Sequence, residues 1–271
     1  MHIVVCAKWI TDPEVTGIRF LIDPITLRRK EVDGLAMVIS PYDEQCFEAA
    51  LRIREQLDGI EAVKITALCL GPESHVKLFK RAFSWDVEAG ILLNVPMFDG
   101  GDGYATARAL SSAIRKLGDV DLVLVGRQAA DGDEGVVGYG IAEFLENPIL
   151  PCASEIKVHE GSVTIERVLD DGSETLQTPL PAVVTVSNEL GEARRPTMRQ
   201  VMRAGRQKPD IWGAQDIGLD REQVEGNSAR LIIEDMYIPK VDYQCEYIDA
   251  KSPTEAARLL VQQLRERRVI A

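Results

Sequence analysis

Short apolar runs rich in Val, Ile and Leu alternate along the first half of the chain with longer amphipathic segments. The runs have the length of buried strands, and the segments carry apolar residues at helical spacing with charges between them. Ser40 and Pro41, at the head of the first segment, are typical of a helix start. The predicted strands are His2–Cys6, Val63–Leu70, Ala89–Leu93 and Leu122–Gly126, and the predicted helices are Pro41–Leu57, Glu73–Phe83, Tyr104–Leu117 and Val136–Leu145.

Four strands that are each followed by a helix predict an α/β fold with a doubly wound, mainly parallel sheet. The strands are apolar almost throughout, as in parallel sheets covered by helices on both faces. Ligands of such sheets bind at the carboxyl ends of the strands. We therefore expect the functional loops to follow Cys6, Leu70, Leu93 and Gly126.

From Ala153 onwards the pattern changes to shorter runs in which apolar and polar residues alternate. Breaks at Glu160-Gly161 and at Asp170-Asp171-Gly172 are hairpin signals. We therefore predict an antiparallel extension that follows the parallel core. Its strands are Glu155–His159, Ser162–Leu169 and Ala182–Val186.

The chain loses strand character after Val186. A basic stretch comes first, then residues 209–249 with little periodicity, and finally a predicted helix over Thr254–Arg268. An irregular run of that length is unusual inside a compact domain, so we interpret it as an arm that packs on another protein. This reading divides the chain into an α/β domain over 1–190, the basic stretch over 191–208, and an extended arm with a carboxy-terminal helix over 209–271.

Charge narrows the class of function. The 271 residues include 31 Lys and Arg against 43 Asp and Glu, a formal charge of -12. Such a balance repels nucleic-acid backbones and anionic membranes, so we expect no nucleic-acid partner. No apolar run reaches the roughly 20 residues of a membrane-spanning helix, and we expect neither membrane insertion nor a targeting segment.

Cysteine and histidine offer little material for catalysis. The five cysteines form no C-x-x-C pair, so we expect no metal site and reduced, mostly buried thiols in a cytoplasmic protein. No histidine is accompanied by a Ser or Cys nucleophile motif, which argues against a hydrolase. Neither Gly101-x-Gly103 nor Gly138-x-Gly140 completes a dinucleotide-binding motif, and we interpret both as turn and helix-packing glycines.

The strongest local feature is the loop from Gly126 to Gly138, which leaves a strand and opens a helix. Free N–H groups at a helix start and glycine turns suit the phosphates or ribose of a nucleotide. Asp131, Asp133 and Glu134 would repel phosphate, so we expect them to cap the helix and to accept hydrogen bonds from ribose hydroxyl or adenine amino groups. From the residues alone, a nucleotide site and a plain capped turn stay equally open.

The stretch from Glu192 to Lys208 carries six bases and one acid, which leaves 25 bases and 42 acids, a charge near -17, in the rest of the chain. This segregation favours a basic docking patch on an acidic body, with Met198, Val201 and Met202 as apolar contacts. A solvated helix face is the alternative. Nucleic-acid binding ranks below both, because aromatic residues that would stack on bases are absent from the stretch.

The residues from Arg167 to Thr185 resemble the signature of the electron transfer flavoprotein beta subunit. They read Arg-Val-Leu-Asp-Asp-Gly-Ser-Glu-Thr-Leu-Gln-Thr-Pro-Leu-Pro-Ala-Val-Val-Thr and match the signature at each defined position. The similarity extends over essentially the whole chain. It includes Val5–Lys8, Ser40–Asp43, Leu70–Pro72, Gly126–Gly138 and Glu192–Lys208.

The resemblance implies a Rossmann-like adenine nucleotide-binding fold in an electron-transfer subunit rather than a self-sufficient enzyme. In that family an alpha subunit carries the electron-transferring FAD on a mobile domain, and the heterodimer exchanges electrons with acyl-CoA dehydrogenases and related flavoenzymes. The beta subunit holds AMP in the simple carriers and a second FAD in the electron-bifurcating, NADH-linked kind.

Carried over by position, the resemblance also assigns residues. Arg194, Arg195, Met198, Val201 and Met202 fall in the family's partner recognition loop, with Met198 as its apolar anchor, and the arm after Pro209 corresponds to the segment that embraces the alpha subunit. The implied cofactor-binding residues are Cys6, Ala7, Ser40, Pro41, Tyr42, Asp43, Leu70, Asp102, Gly126, Arg127, Gln128, Ala129, Asp131, Gly132, Asp133, Glu134, Gly135, Val136 and Val137.

The choice between AMP and FAD stays open at this point. Asp131-Gly132-Asp133 resembles the bifurcating kind, but Glu134 and Val136 stand where that kind has Thr and Gln, and Gly103 stands where it has Thr. The last two differences remove hydrogen-bonding groups from the side expected to face a second flavin. A standalone adenine-nucleotide enzyme, or a sensor without redox chemistry, is the alternative function.

Overall fold

Two structural units make up the chain, Met1–Glu234 and Asp235–Ala271. The computed structural model describes residues 1–14, 21–25, 27–29, 36–96, 101–219, 229–231, 233–239 and 245–270. In chain order the strands are β1 His2–Cys6, β2 Trp9–Thr11, β3 Ile22–Asp23, β4 Arg28–Arg29, β5 Met37–Ile39, β6 Lys64–Leu70, β7 Ala89–Leu93, β8 Leu122–Gly126, β9 Ile149–Ala153, β10 Glu155–His159, β11 Ser162–Leu169, β12 Gly172–Pro179, β13 Ala182–Val186 and β14 Asp210–Trp212. The α-helices are α1 Pro41–Gln56, α2 Val76–Phe83, α3 Gly103–Leu117, α4 Val137–Leu145, α5 Met198–Ala204 and α6 Pro253–Glu266.

The first unit is built on a seven-stranded sheet in the order β14-β7-β6-β1-β8-β13-β9. Every pairing in this sheet is parallel. Helices cover both faces, since α1 and α2 pack into one apolar cluster and α3 and α4 into the other. The protein therefore has the Rossmann-like, doubly wound α/β fold that the sequence predicts.

A separate antiparallel sheet in the order β10-β11-β12 packs on the face that α1 covers. Ile156 faces Ile165 across it and Val158 faces Val163, and all four side chains belong to the apolar cluster of that face. Two small two-stranded ladders, β2 with β5 and β3 with β4, complete the strands. The antiparallel extension is thus confirmed for β10 and β11.

The predicted placement of Ala182–Val186 in the antiparallel extension is wrong. This segment is β13, which lies between β8 and β9 in the parallel sheet. All five of its residues are buried, because both faces of a central parallel strand are covered. β9, β12 and β14 were not predicted. β14 pairs with β7 at the edge of the sheet, so residues 210–212 belong to the parallel sheet although they follow the boundary predicted after residue 208.

The second unit contains α6, which begins after Ser252. The hydroxyl oxygen of Ser252 accepts a hydrogen bond from the Glu255 N–H at 3.2 Å, and Pro253 occupies the first turn, as the sequence predicts. None of the helix residues is buried. Across the described residues, no helix is long and apolar enough to cross a membrane.

Candidate functional site

A cavity of about 570 Å³ opens at the carboxyl ends of the central strands. Its volume falls in the range of roughly 300–1,000 Å³ that small-molecule and cofactor sites occupy. The chain runs outward from β1 to β6 and β7 on one side and from β8 on the other, so the strand order reverses between β1 and β8. Ligands bind at such a reversal, because the loops on either side diverge and leave a crevice. We call this space the switch-point cavity.

Most of the predicted cofactor-binding residues line this cavity, but five do not. Ser40, Pro41, Tyr42, Arg127 and Asp133 lie outside its lining. Lys8 and His75 line it although they were not predicted, and so do Asn94, Gly101 and Gly103. The predicted residues that line it are Cys6, Ala7, Asp43, Leu70, Asp102, Gly126, Gln128, Ala129, Asp131, Gly132, Glu134, Gly135, Val136 and Val137.

Asp43 joins the two strands that flank the crevice. Its carboxylate accepts hydrogen bonds from the Lys8 N–H at 2.7 Å, just beyond β1, and from the Gly126 N–H at 3.3 Å, at the end of β8. The side chain is buried, and this burial raises the pKa of Asp43 to about 7. The cavity therefore has a carboxyl group in its wall whose charge changes near neutral pH.

Gly126 is required by the close approach of α1. A β-carbon at this position would lie 2.6 Å from Asp43 Oδ1 and 2.8 Å from Tyr42 Cβ. Any side chain would push the first turn of α1 away from β8 and break the contact between Asp43 and the backbone. The glycine thus allows helix and strand to meet at the cavity wall.

The predicted capping role of the acids in the loop after β8 is wrong. The residue that precedes α4 is Val136, and no side chain caps this helix. Asp131 Oδ1 instead pairs with Lys8 Nζ at 2.8 Å, and Asp133 Oδ1 accepts a hydrogen bond from Gln128 Nε2 at 2.9 Å. Asp133 and Gly135 have left-handed backbone conformations, so this loop turns sharply before α4.

Backbone N–H groups at the start of α4 are left for a ligand. Within the described part of the chain, no acceptor is paired with the N–H of Gly135, Val136 or Val137. The first N–H groups of a helix have no partner inside it and favour anions. Gly132 has no atom within 4 Å of where its β-carbon would stand, so this side of the cavity is open space.

Tyr42 and Arg127 lie outside the cavity lining, Arg127 within the loop after β8 that forms part of its wall and Tyr42 in contact with that loop. The Arg127 guanidinium lies 5.5 Å from the centre of the Tyr42 ring and donates to Ser187 Oγ at 3.3 Å. The Tyr42 hydroxyl accepts a hydrogen bond from Gln128 Nε2 at 3.3 Å. The Ser40 hydroxyl oxygen accepts one from the Ala130 N–H at 3.5 Å. These residues hold the loop after β8 against α1.

Asp102 lines the cavity, but its carboxylate is already engaged. It accepts the Ala105 N–H at 2.9 Å, which caps α3, and the N–H groups of Arg230 and Leu231 at 2.6 and 2.9 Å. Burial alone would raise the pKa of Asp102, and these backbone hydrogen bonds more than offset it, so the pKa is lowered. The Arg230 guanidinium stacks over the Tyr104 ring at 4.1 Å. Asp102 therefore ties residues 230 and 231 to the cavity rim.

Gly138 and Gly140 are helix-packing glycines, as predicted. A β-carbon at Gly138 would lie 2.6 Å from Thr185 Cγ2, and one at Gly140 would lie 2.6 Å from Ala107 Cβ. Both glycines therefore allow α4 to pack closely, Gly138 on β13 and Gly140 on α3.

The chemistry of the cavity suits an adenine nucleotide. The carboxyl groups of Asp43, Asp131 and Glu134 are acceptors for amino and hydroxyl hydrogens. The start of α4 supplies donors for an anion, and Lys8 is the only Lys or Arg among the described lining residues. Val95, Leu110 and Val125 add apolar walls. The residues present therefore fit both a base and a phosphate.

The predicted docking residues lie on α5 and in the segment just before it, and none of them lines the cavity. Met198 and Met202 are 75% and 68% exposed, and Val201 is 47% exposed. Residues three and four positions apart share a helix face, so these three form one apolar surface. The Arg194 guanidinium is bound to Glu48 and Glu55, and its side chain is still 40% exposed.

Comparison with known proteins gives consistent results. The family model described as electron transfer flavoprotein domain matches residues 32–216. The chain is 32% identical over its whole length, and over the whole length of the relative, to the caffeyl-CoA reductase-Etf complex subunit CarD of Acetobacterium woodii. It is 32% identical, again over both full lengths, to the electron transfer flavoprotein subunit beta of Thermoanaerobacterium thermosaccharolyticum. It is 34% identical to protein FixA of Azorhizobium caulinodans, over 81% of this chain and 78% of that one. The chain therefore belongs to the electron transfer flavoprotein family, among its beta subunits.

Proposed function

We propose that this chain is the beta subunit of a heterodimeric electron transfer flavoprotein in the cytoplasm. It binds an adenine nucleotide in the switch-point cavity, pairs with an alpha subunit, and passes electrons to or from an acyl-CoA dehydrogenase-type flavoenzyme. The observation that carries the proposal is the position of the cavity, which lies where the strand order of the parallel sheet reverses, in a chain that matches the electron transfer flavoprotein family.

The nucleotide is AMP or the AMP half of FAD, because both present the same adenine, ribose and first phosphate. Asp43, Asp131 and Glu134 supply acceptors for the base and sugar, and the start of α4 with Lys8 supplies donors for phosphate. A bound flavin supplies the electron chemistry, and this chain contributes binding and orientation.

The wall formed by Gly103 and Val136 bears on the choice between the two nucleotides. A β-carbon at Gly103 would lie 2.3 Å from Val136 Cγ2, so the two residues are in direct contact and form an apolar part of the lining. This part offers no side-chain hydrogen bond to a second flavin. It therefore favours AMP, or an FAD that does not take part in NADH-linked bifurcation.

Exposed apolar side chains in the second unit support the proposed pairing with an alpha subunit. Tyr237 and Tyr247 are 74% and 90% exposed, Val269 is also largely exposed, and α6 buries none of its residues. Large apolar side chains left open in this way mark a surface for another protein. A chain that ends at Glu234 should therefore keep its parallel sheet but fail to retain the alpha subunit.

The test is co-expression of the chain with an electron transfer flavoprotein alpha subunit, followed by denaturing release and quantification of nucleotides. We expect a yellow heterodimer that releases either one FAD and one AMP or two FAD per complex. The first result identifies a simple carrier, and the second a bifurcating protein or a descendant of one. The Glu234-terminated chain, co-expressed in parallel, should lose the alpha subunit.

Two results would redirect the proposal. A heterodimer that contains no flavin would indicate a nucleotide-binding module without redox chemistry. Turnover of ATP by the chain alone would indicate a standalone adenine-nucleotide enzyme. A colourless, stable monomer that ignores the alpha subunit would contradict the proposed function altogether.

A further inference from the structure

Arg194 lies at the junction between the sheet domain and α5, which we call the docking helix. Its Nε donates to Glu48 Oε2 at 2.8 Å and its Nη2 to Glu48 Oε1 at 3.0 Å, so the guanidinium grips this carboxylate with two parallel hydrogen bonds. The same guanidinium pairs with both carboxylate oxygens of Glu55, about two turns further along α1. We call these three residues the carboxylate clamp.

The clamp is built around a buried acid. The Glu48 side chain is only 6% exposed, and its carboxylate also accepts the Arg194 N–H at 3.1 Å and Arg52 Nε at 2.9 Å. Burial alone would raise the pKa of Glu48, but the hydrogen bonds from Arg194 and Arg52 lower it overall. Glu48 is therefore charged at neutral pH, and a buried charge of this kind depends on its partners.

Two further anchors hold the docking helix to the segment after α2. Trp85 Nε1 donates to the Arg194 carbonyl oxygen at 2.7 Å, while the Trp85 ring stacks on Phe47 of α1. Asp86 accepts a hydrogen bond from Gln200 Nε2 at 2.8 Å and pairs with Arg203. Arg203 is thus engaged within the chain, as Arg194 is.

The docking helix is too short to be stable without contacts to the rest of the chain. It has seven residues, far fewer than the roughly 12–15 that an isolated helix needs to be even marginally stable in water. Ala204 is its only buried residue, so burial contributes little to its order. Its order therefore depends on the capping box of Thr197 and Gln200, on packing against α2, and on the contacts of Arg194, Gln200 and Arg203 with α1 and with Asp86.

We propose that Arg194 is a positioning residue, which holds the docking helix in a fixed orientation before a partner arrives, while exposed bases such as Arg195 and Arg199 supply the charge that partners meet. The proposal rests on the docking role in the proposed function. A surface that is ordered in advance loses less conformational entropy on binding, so its affinity for the partner is higher. The arginine suits the task because its planar fork makes two hydrogen bonds to each of two carboxylates, a geometry that the compact ammonium of a lysine does not match.

The first test measures the clamp without any dehydrogenase. Hydrogen exchange of the amides of residues 197–205 is compared between the wild-type heterodimer and Arg194→Gln. We expect exchange about tenfold faster in the variant. Lys157→Gln, which removes an exposed ion pair with Glu155 on the antiparallel sheet, is the matched control and should leave these amides unchanged. Unchanged protection in Arg194→Gln would overturn the proposal.

Arg194→Lys and Glu55→Gln keep the test decisive if Arg194→Gln folds poorly. Both leave Glu48 with a basic partner, and both should give intermediate exchange rates. Adding Glu55→Gln to Arg194→Gln should produce no further increase, because one clamp has already been lost. Independent, additive effects of the two substitutions would contradict a shared clamp.

The second test measures docking with an acyl-CoA dehydrogenase reduced by its acyl-CoA substrate. Arg194→Gln should raise the KM for the heterodimer several-fold, leave kcat nearly unchanged and preserve the salt dependence of exchange. Arg195→Gln should weaken the salt dependence instead, because it removes an exposed charge. Faster amide exchange with unaltered KM would overturn the positioning role and leave only a structural clamp. If the wild-type heterodimer exchanges no electrons with the dehydrogenase, the proposed function fails, whereas the amide-exchange result concerns the clamp alone.

Discussion

Val136 fills the space in which a side chain at Gly103 would have to lie. A β-carbon at position 103 would stand 2.3 Å from Val136 Cγ2, although the two residues are separated by the whole of α3 and β8. A valine side chain is stiff at its first torsion and cannot swing clear at low cost. The two positions therefore have to change together.

This contact predicts strong coupling in a double-mutant cycle. Gly103→Ala should lower the free energy of unfolding by about 1–3 kcal/mol, because the added methyl group overpacks the site. In a Val136→Ala background the same substitution should cost little. Denaturant unfolding of the four proteins measures the coupling, and Gly213→Ala, whose β-carbon would meet its nearest neighbour at 3.8 Å, is the control. Equal costs of Gly103→Ala in both backgrounds would contradict the contact.

Asp43 predicts a pH dependence of stability. Its pKa is raised to about 7 in the folded chain, from 3.8 as the ordinary value, so folding favours the protonated form. As pH rises from about 4 to 7 the unfolded chain ionises first, and stability is lost across this window by up to about 4 kcal/mol.

The measurement is the free energy of unfolding between pH 4.5 and 7.5. Asp43→Asn should flatten the decline, because the amide cannot ionise. Asp58→Asn removes an exposed carboxyl group near the end of α1 and should leave the slope as in the wild type. Parallel curves for Asp43→Asn and the wild type would contradict a raised pKa.

A larger side chain at Gly132 is expected to block the ligand without disturbing the fold. Nothing lies within 4 Å of its missing β-carbon, and the residue lines the cavity. Gly132→Leu should therefore unfold at the same denaturant concentration as the wild type but bind nucleotide at least about tenfold more weakly, a loss of ~1.4 kcal/mol. Denaturing release from the heterodimer gives the occupancy. Full occupancy in the variant would mean that the nucleotide lies elsewhere.

Removal of the Met198 side chain is expected to weaken docking without changing the cofactor content. As the apolar anchor of the docking surface, Met198 should act as an interface hot spot, whose truncation costs about 2 kcal/mol or more, so Met198→Ala should slow electron exchange with the dehydrogenase more than tenfold. The released nucleotides should match the wild type. Ile60→Ala, at another exposed apolar residue beyond the end of α1, is the control for lost surface area. Normal exchange kinetics in Met198→Ala would remove the assignment of the docking surface.

Much of the fold could be predicted because strand and helix patterns are local. β1, β7, β8, β10 and β11 have the predicted bounds. The neighbours of β13 could not be inferred from the hairpin signals before it, since strand pairing depends on residues far away in the chain. Its uninterrupted Ala-Val-Val-Thr-Val was the available signal for a buried parallel strand. β14 has three residues, too few to show any periodicity.

The position of the candidate site could be predicted from the sequence, but the hydrogen-bond and ion-pair partners of its residues could not. The rule for parallel sheets located the loops after Cys6 and Gly126 correctly. The role of Asp131 was decided by Lys8, 123 residues earlier, and the role of Arg194 by Glu48, 146 residues earlier. Composition showed a basic stretch, but only the folded chain shows that Arg194 and Arg203 pair with acids of the same chain.

Helix α1 carries Asp43 in its first turn and Glu55 in its last, so one uninterrupted element holds both the cavity wall and the clamp. With a rise of 1.5 Å per residue, these two carboxyl-bearing positions are about 18 Å apart along the helix axis. A packed helix does not stretch, so the spacing between the cavity wall and the clamp is a constant of this subunit. Under the proposed function, any shortening of an electron path would then have to come from the movement of a partner.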